Sequence, residues 1–429
     1  MKSILHIAAL ETTKSIFLIV ILCFAISCNA QLIAQKNNTK LKEVTAKDIL
    51  GNPDYLAICY GGYRERTRNT QPTIAQIKQD LKILAALRVK IIRTYNVHLQ
   101  HDPNVLEAIR QLKKENPEFE MYVMLGVWID CKNAWTNIAP DHNNESDRNA
   151  IEVETAVQLA NKYPEIVKII AIGNEAMVRW ATSYYVQPSV ILKWVNHLQQ
   201  LKKDNKLSKD LWVTSSDDFA SWGGGDTSYR TKDLEDLIQA VDYVSMHTYP
   251  YHNSHYNPDF WQSSASEDNF TTLQKAEFAL VRAQEFAQKQ YNDVKSYVQS
   301  ISPNKPIHIG ETGWASISDG FYGNHGSKAS DEYKQALYYK HMRVWTAKEK
   351  ISCFFFEAFD EPWKDGKNEK GSENHFGLFT VEGKAKFALW DEVDLSVFDK
   401  LKRDDNSIVK TFSGNREVLI ETVLAPPRK

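Results

Sequence analysis

The chain has 429 residues, of which 43% are hydrophobic and 25% are charged, a composition typical of a folded globular protein rather than a disordered one. Its 52 basic and 54 acidic residues are well mixed and leave a net charge of −2, so the sequence lacks the basic stripe with which proteins bind nucleic acid. An uncharged substrate fits this balance best.

The N-terminus predicts export. Residues 16–26 form an apolar run that is too short to span a bilayer but has the length of a secretory signal core. Ser27 and Cys28 follow, and a small residue before a cysteine resembles the lipobox of bacterial lipoproteins. Residues 1–28 would then be a signal peptide and Cys28 the lipidated first residue of a cell-envelope protein, held on the membrane by its acyl chains. Plain cleavage after Ala30, followed by secretion, is the alternative.

The rest of the chain alternates strands and helices. Residues 29–50 are polar and predict a tether, and short apolar segments then recur between helical patterns. Strands are predicted at 55–60, 90–95, 120–128, 166–172, 211–214, 241–246, 306–310 and 351–356. Helices are predicted after Pro72, at 103–115, 148–162, 189–203, 232–240, 271–299 and 330–347, and after Gly383.

This order predicts an α/β protein of the TIM-barrel class. Strict alternation of strand and helix favours a parallel sheet, and eight units close it into a single (β/α)8 barrel, here over residues 51–394. A doubly wound open sheet is the alternative. The long segments 133–147, 217–231 and 249–270 follow strands and would emerge at the catalytic face. Residues 395–429 form a short C-terminal extension with one strand-like patch, 417–423.

The cysteines predict no disulfide framework. Two of the five lie in the leader, and Cys59, Cys131 and Cys353 remain. Three residues cannot all pair, and their spacing fits no metal site, so we expect buried free thiols.

Two glutamates carry the strongest functional signal. Glu175 and Glu311 each follow a short apolar strand, in the runs Ala171-Ile172-Gly173-Asn174-Glu175 and Ile309-Gly310-Glu311. Side chains at the carboxyl ends of barrel strands form the active site of this fold. A carboxylate pair is what cleavage of a glycosidic bond requires, with a gap of about 5 Å for retention and about 8 Å for inversion. The alternative is that both are ordinary charges at strand ends.

The tryptophans favour a carbohydrate ligand. Sugar rings present C–H faces that pack on aromatic planes. Seven of the 11 tryptophans lie at predicted strand ends or in the following loops, whereas aromatic residues that only fill a core would have the opposite distribution. They are Trp128, Trp135, Trp180, Trp222, Trp261, Trp314 and Trp363.

Several runs together resemble glycoside hydrolase family 17, the β-1,3-glucanases and β-1,3-glucanosyltransferases with (β/α)8 barrels. The resemblance covers the whole predicted barrel and is most distinctive in the run from Phe354 to Lys364 together with the run from His375 to Phe379. The other runs are Cys59-Tyr60-Gly61, Arg93-Thr94-Tyr95-Asn96, Gly173-Asn174-Glu175, His247-Thr248-Tyr249-Pro250-Tyr251 and Glu311-Thr312-Gly313-Trp314.

The resemblance implies a role for each site residue. Glu175 would be the acid/base and Glu311 the nucleophile of a retaining double displacement. Asn174 would hydrogen-bond the sugar 2-hydroxyl, and Tyr249 would donate to Glu311 unless it only packs at the rim. Glu361, preferred over Glu357, and Lys364 would bind sugar hydroxyls or shape the electrostatics near the acid, unless they form a surface ion pair. The implied substrate-binding residues are Tyr60, Tyr95, Asn174, Tyr249, Trp314, Glu361, Trp363 and Lys364.

These features predict an exported β-1,3-glucan hydrolase, endo-acting on laminarin-type chains as a monomer without a cofactor. No metal is expected, because His252 and His255 have ligand-like spacing but no evident third ligand. Alternatives are a β-1,3-glucanosyltransferase, a surface glycan-binding lipoprotein without turnover and a solute-binding protein, although the last would need two lobes and a hinge.

Overall fold

The computed structural model describes residues 44–429, and eight parallel strands form its centre. They are β1 (Leu56–Cys59), β2 (Val89–Arg93), β3 (Tyr122–Val127), β4 (Val167–Asn174), β5 (Trp212–Asp218), β6 (Val244–His247), β7 (Ile307–Gly313) and β8 (Cys353–Phe356). All eight were predicted, with ends shifted by up to four residues. The signal peptide and the lipidation site at Cys28 lie outside the described residues.

The sheet closes on itself. Neighbours follow the order β1-β8-β7-β6-β5-β4-β3-β2, and β1 pairs in parallel with both β2 and β8. An open doubly wound sheet would leave two edge strands without partners. The predicted single (β/α)8 barrel is therefore confirmed, and the open-sheet alternative is excluded.

Helices follow the strands around the barrel. These helices include four whose N-terminus is capped by a side chain; Thr73, for example, accepts a hydrogen bond from the Gln76 backbone amide while the Gln76 side chain accepts from the Thr73 backbone amide. The helices are α1 (Ile74–Ala86), α2 (His101–Glu115), α3 (Arg148–Lys162), α4 (Pro188–Lys203), α5 (Lys232–Ala240), α6 (Thr272–Ile301), α7 (Glu332–Lys348) and α8 (Trp390–Asp394). Shorter elements in the connections include a hairpin (Cys131–Lys132 with Asp141–Glu145) and the helix Pro250–Tyr256.

Burial explains the sequence of the strands. All six residues of β3 and all seven of β7 are buried, because helices cover the outer face and side chains fill the inner one. Cys59, Cys131 and Cys353 are buried free thiols, as predicted. Burial raises the pKa of Cys353 to about 11, so this thiol stays protonated and unreactive near neutral pH.

The segments before and after the barrel belong to the same compact unit as the barrel. Residues 45–429 form one compact unit. The tether predicted for 29–50 ends earlier than expected, because Ala46–Ile49 is a helix capped by Thr45, and its Ala46 and Ile49 side chains are buried. Between residues 44 and 429 no helix has both the length and the apolar character needed to cross a bilayer.

The strand-like patch predicted at 417–423 was wrong, because Arg416–Glu421 is a helix. The Asn415 side chain accepts hydrogen bonds from the Glu417 and Val418 backbone amides and so starts the helix. Leu419 and Val423, four residues apart, then pack together in one apolar cluster with Trp390 of α8. The β-branched residues suggested a strand, but the cap and the four-residue spacing decide the structure.

A buried ion network fastens the C-terminal segment to the barrel. The fully buried Asp80 of α1 accepts hydrogen bonds from Arg403 Nε (2.9 Å), from Arg64 Nη1 and Nη2 (both 2.9 Å) and from the Tyr60 hydroxyl (2.9 Å). Arg403 is also fully buried, and its guanidinium lies 4.1 Å from the centre of the Phe359 ring. The Asp80 carboxylate therefore pairs with two cations, of which Arg403 comes from the C-terminal segment, and Arg64 pairs with the Asp404 carboxylate as well.

Replacing Asp80 with alanine should cost about 3–5 kcal/mol of unfolding free energy, because it leaves the buried Arg403 guanidinium without a counter-charge. The midpoint of denaturant unfolding measures this loss. Asp394→Ala is the matched control, since Asp394 is exposed and pairs with Lys410 at the surface. The control should change the midpoint little; equal shifts in the two variants would contradict a central role for the network.

Candidate active site

Glu175 follows β4 at a bend in the chain. The register between β4 and β5 shifts between Ala171 and Asn174. Gly173 has a φ of +84°, and a Cβ at this position would lie 2.9 Å from that of Ala176. Glu175 itself has a φ of +47°, which residues with a side chain seldom adopt. The bend brings the side chains of Asn174 and Glu175 into the barrel mouth, where both contact residues of other strands.

Glu311 lies within β7, and three donors hold its carboxylate. The Tyr249 hydroxyl donates to Oε1 at 2.6 Å, while the Tyr95 hydroxyl (2.9 Å) and Arg93 Nη1 (2.8 Å) donate to Oε2. The donation from Tyr249 was predicted. Tyr95 was predicted to bind substrate, but its hydroxyl is directed at Glu311 instead. These contacts fix the orientation of the carboxylate and favour its ionised form.

The two candidate carboxylates lie close together. One oxygen of Glu175 is within 4.8 Å of one oxygen of Glu311. Strands β4 and β7 are not diametrically opposed, because only β5 and β6 separate them on the shorter side of the barrel. An oxygen pair this close agrees with the separation of roughly 5–5.5 Å between the carboxyl groups of retaining glycosidases, whereas inverting enzymes have roughly 6.5–9.5 Å.

The environment separates the pKa values of the pair. Burial, together with the negative charge of Glu311, raises the pKa of Glu175 from 4.5 to about 8. Burial also acts to raise the pKa of Glu311, but nearby positive charge and the Tyr249 hydroxyl outweigh it, and the net effect is a lowered pKa. His247 contributes positive charge only when it is protonated, whereas Arg93 and Lys364 carry permanent positive charges. Near neutral pH, Glu175 is thus protonated and Glu311 ionised.

His247 connects the two glutamates. Its Nδ1 lies 3.0 Å from Glu175 Oε1, and its Nε2 lies 2.8 Å from the Ser216 hydroxyl and 3.2 Å from Arg93 Nη1. Since Arg93 can only donate, Nε2 is the acceptor and Nδ1 carries the proton that is donated to Glu175. Burial lowers the pKa of His247 to about 4, so the ring is neutral near pH 7, and Arg93 and Lys364 then supply the positive charge that stabilises Glu311.

Arg93 orients Asn174. Its Nη2 donates to Asn174 Oδ1 at 2.5 Å, while Nη1 also donates to the Gly310 carbonyl at 2.7 Å. With the amide oxygen occupied in this way, the Asn174 NH2 group is left as a donor. This orientation suits the predicted hydrogen bond to a sugar hydroxyl.

Lys364 forms ion pairs with two glutamates of the loop after β8. Its Nζ is 3.0 Å from Glu357 Oε2 and 3.5 Å from Glu361 Oε2. The predicted substrate contact by Glu361 was wrong, because this residue is buried and its oxygens accept from the Tyr63 amide (3.1 Å) and Trp363 Nε1 (3.0 Å). Glu361 therefore supports other residues. The positive charge of Lys364 helps to lower the pKa of Glu311. Trp363 and Lys364 are both partly exposed.

Two further predicted contacts are wrong for the same reason. Tyr60 is fully buried and donates its hydroxyl to Asp80. Trp314 is fully buried too; its Nε1 donates to the Ala329 carbonyl at 2.8 Å, and its ring packs 5.4 Å from that of Trp261. Long loops cover this part of the barrel with a core of their own, so position after a strand did not guarantee exposure.

The aromatic surface of the mouth is smaller than predicted. Trp222, Trp261 and Trp314 are buried, whereas Trp135 and Trp180 are 59% and 62% exposed. Trp128 and Trp363 are partly exposed.

The sequence predicted no role for Arg93 or His247, although both lie in runs that resemble glycoside hydrolase family 17. Each is a basic residue at the end of a buried strand. Because a buried charge needs a partner, this position could have indicated an interaction with Glu311 at the same rim of the barrel.

The site is poorly suited to bind a cation. Glu175, His247 and Glu311 each offer a ligand atom, and these atoms lie within 4.8 Å of one another. The Arg93 guanidinium already occupies one side of Glu311 and repels a cation there. His252 and His255 do not converge on a ligand, because His252 lies 3.4 Å from Glu373 while His255 stacks on Phe321.

A closed parallel barrel with this carboxylate pair at its mouth defines a (β/α)8 glycosidase. The chain belongs to the BtgE/BtgC glycoside hydrolase domain family, whose model matches residues 57–377.

Similar proteins share the barrel. An endo-laminarinase structure from Formosa Hel1_33_131 is 60% identical, with a TM-score of 0.89 over 90% of this chain and 98% of that one. A family 17 β-1,3-glucanosyltransferase from Rhizomucor miehei shares the fold at 19% identity and a TM-score of 0.54, over 78% of this chain and 96% of that one. The putative glucan endo-1,3-β-glucosidase btgC of Aspergillus niger is 26% identical over 70% of this chain. The match spans 37% of that relative's length.

Proposed function

We propose that the protein is a retaining β-1,3-glucanase of glycoside hydrolase family 17 that cleaves laminarin-type chains internally. The observation that carries the proposal is the pair Glu175 and Glu311, within 4.8 Å of each other and with pKa values shifted in opposite directions. The substrate and the endo mode are supported by the 60% identity to an endo-laminarinase over nearly the whole barrel.

In the first step of the proposed reaction, a Glu311 oxygen attacks the anomeric carbon. Glu175 gives its proton to the glycosidic oxygen as the C–O bond breaks, and a covalent glycosyl-enzyme forms. Arg93 and the Tyr95 and Tyr249 hydroxyls hold the attacking carboxylate in place. Asn174 donates to the 2-hydroxyl of the same sugar, a contact that strengthens as charge develops on the ring.

In the second step, Glu175 acts as a base. It takes a proton from a water molecule, whose oxygen attacks the anomeric carbon and releases Glu311 as a carboxylate. Esterification removes the Glu311 charge that raised the Glu175 pKa, so Glu175 becomes a stronger acid in the intermediate and ionises for this role.

The pH dependence of kcat/KM should be bell-shaped. Activity requires Glu311 ionised and Glu175 protonated, so it should fall below about pH 4.5 and again as the pH rises through about 8. Tyr249→Phe removes a hydrogen bond that lowers the Glu311 pKa, so the acid limb should move to higher pH. An alkaline limb centred below pH 6 in the wild-type enzyme would contradict the assignment of Glu175.

Product profiles on linear laminari-oligosaccharides test the proposed function. Endo hydrolysis should yield several intermediate lengths early in the reaction and only products shorter than the substrate. Products longer than the substrate would instead indicate a glucanosyltransferase, in which a second sugar replaces water. Release of a single short product from one chain end would overturn the endo mode.

The proposal places the enzyme outside the cytoplasm, in the periplasm or on the outer membrane, through the signal-like residues 16–26 and lipidation at Cys28. Mass spectrometry of the N-terminal peptide from the native protein separates an acylated Cys28 from plain cleavage after Ala30.

A further inference from the structure

We propose that Trp128, Trp135 and Tyr184 form a platform for the sugar on the leaving side of the scissile bond, an inference that rests on the proposed function. The three rings are called the leaving-side platform below. They come from the loops that follow β3 and β4, and no role was assigned to Tyr184 from the sequence.

The rings form a stack. Tyr184 and Trp135 lie with ring centres 5.2 Å apart and planes at 21°, and the Trp128 ring centre lies 5.2 Å from that of Tyr184 at 43°. Trp135 remains 59% exposed despite this contact. An exposed indole held at a fixed angle by a second ring offers the flat face on which a sugar packs.

Backbone hydrogen bonds fasten the platform beside Glu175. The Val186 amide, two residues after Tyr184, donates to the carbonyl of Ala176 at 2.7 Å. Tyr184 also accepts from the Cys131 amide at 3.0 Å, which joins the loops after β3 and β4. These hydrogen bonds join the segment that carries Tyr184 to Ala176, the residue that follows Glu175.

The Tyr184 hydroxyl is available to a ligand. No described residue forms a hydrogen bond with it, and it is not among the buried polar atoms without a partner. Burial of the ring, together with the negative charges of Glu175, Asp217 and Glu311, raises the pKa of Tyr184, so the hydroxyl stays protonated and can donate a hydrogen bond.

The arrangement assigns the platform to one side of the bond. Glu311 attacks the sugar that stays on the enzyme, and Arg93, Tyr95 and Tyr249, which lie at or just after the ends of β2 and β6, hold the Glu311 carboxylate. Glu175 protonates the oxygen of the departing sugar, which therefore lies beyond Glu175, away from Glu311. The platform is carried by the loops after β3 and β4, and β3 adjoins β4 on the side away from β5, β6 and β7, the strand of Glu311.

Two substrates test this assignment. Laminarihexaose fills both sides of the bond, whereas β-laminaritriosyl fluoride fills only the side that stays and loses fluoride instead of a sugar. Trp135→Ala should lower kcat/KM on the hexaose about 10-fold, as expected for loss of one aromatic packing contact and its buried area, and should leave the fluoride unchanged. Tyr184→Phe keeps the ring and removes the hydroxyl, so its effect on the hexaose should be smaller. Phe278→Ala is the matched control, because Phe278 is an exposed aromatic residue on α6.

Each outcome is decisive. Equal losses on both substrates, or no loss on either, would overturn the platform's assignment to the leaving side. If the wild-type enzyme cleaves neither substrate, the proposed function fails rather than the platform. Unchanged activity on the fluoride also shows that the variant is folded.

Discussion

Replacing Glu311 with glutamine is expected to reduce cleavage of β-1,3-glucan by about 10⁴-fold or more, on the order of the losses measured when a covalent nucleophile is removed. The amide cannot form the glycosyl-enzyme. Its carbonyl can still accept from Arg93 and Tyr95, and its NH2 can donate to the Tyr249 hydroxyl, so the site should keep its shape. Initial rates on laminarin and calorimetric titration with laminarihexaose measure the two properties separately.

Glu369→Gln is the control for this variant. Glu369 is 71% exposed and pairs with Arg66 at the surface, so its loss should change neither rate nor binding. Retained turnover in Glu311→Gln would show that Glu311 is not the nucleophile. Undiminished binding together with wild-type inactivity would instead favour a glycan-binding protein without turnover.

Glu175→Ala should slow glucan cleavage by about 10²–10⁴-fold, the range typical of general acid–base catalysis. Its effect should depend on the leaving group. Fluoride leaves without protonation, so formation of the glycosyl-enzyme from β-laminaritriosyl fluoride should be affected least. The rate of the first-turnover burst of fluoride measures this step.

Azide should restore turnover in the same variant. The intermediate lacks a base to activate water, but azide needs no deprotonation, fits the space left by the side chain and should yield a β-glycosyl azide. The wild-type enzyme is the control and should gain nothing from azide. Failure of azide to accelerate Glu175→Ala on the fluoride, or formation of an α-azide, would count against Glu175 as acid/base of a retaining reaction.

The barrel could be predicted from the sequence because the features that define its strands and helices involve residues close together in the chain. Most strands contain a short apolar run, and several helices begin at a polar cap such as Thr73 or Thr271. The carboxylate pair could be predicted for the same reason, since Glu175 and Glu311 both follow buried segments. Gly173 adds a local signal for the bend that aims Glu175.

Contacts across the barrel could not be predicted. Arg93 comes from β2 and His247 from β6, yet both act on the pair formed by β4 and β7, so their roles depend on strand register. The sequence also did not indicate which loop residues are buried. Trp314 and Glu361 follow strands as substrate-binding residues would, but the loops that cover them hold both away from solvent.

The anomeric configuration of the first product tests the central claim most directly. Proton NMR can follow laminarihexaose during the first minutes of hydrolysis, before mutarotation mixes the anomers. Double displacement through Glu311 predicts that the β-anomer of the new reducing end appears first and the α-anomer only later. Initial appearance of the α-anomer would show inversion and contradict the mechanism proposed from the Glu175 and Glu311 oxygens that lie within 4.8 Å of each other.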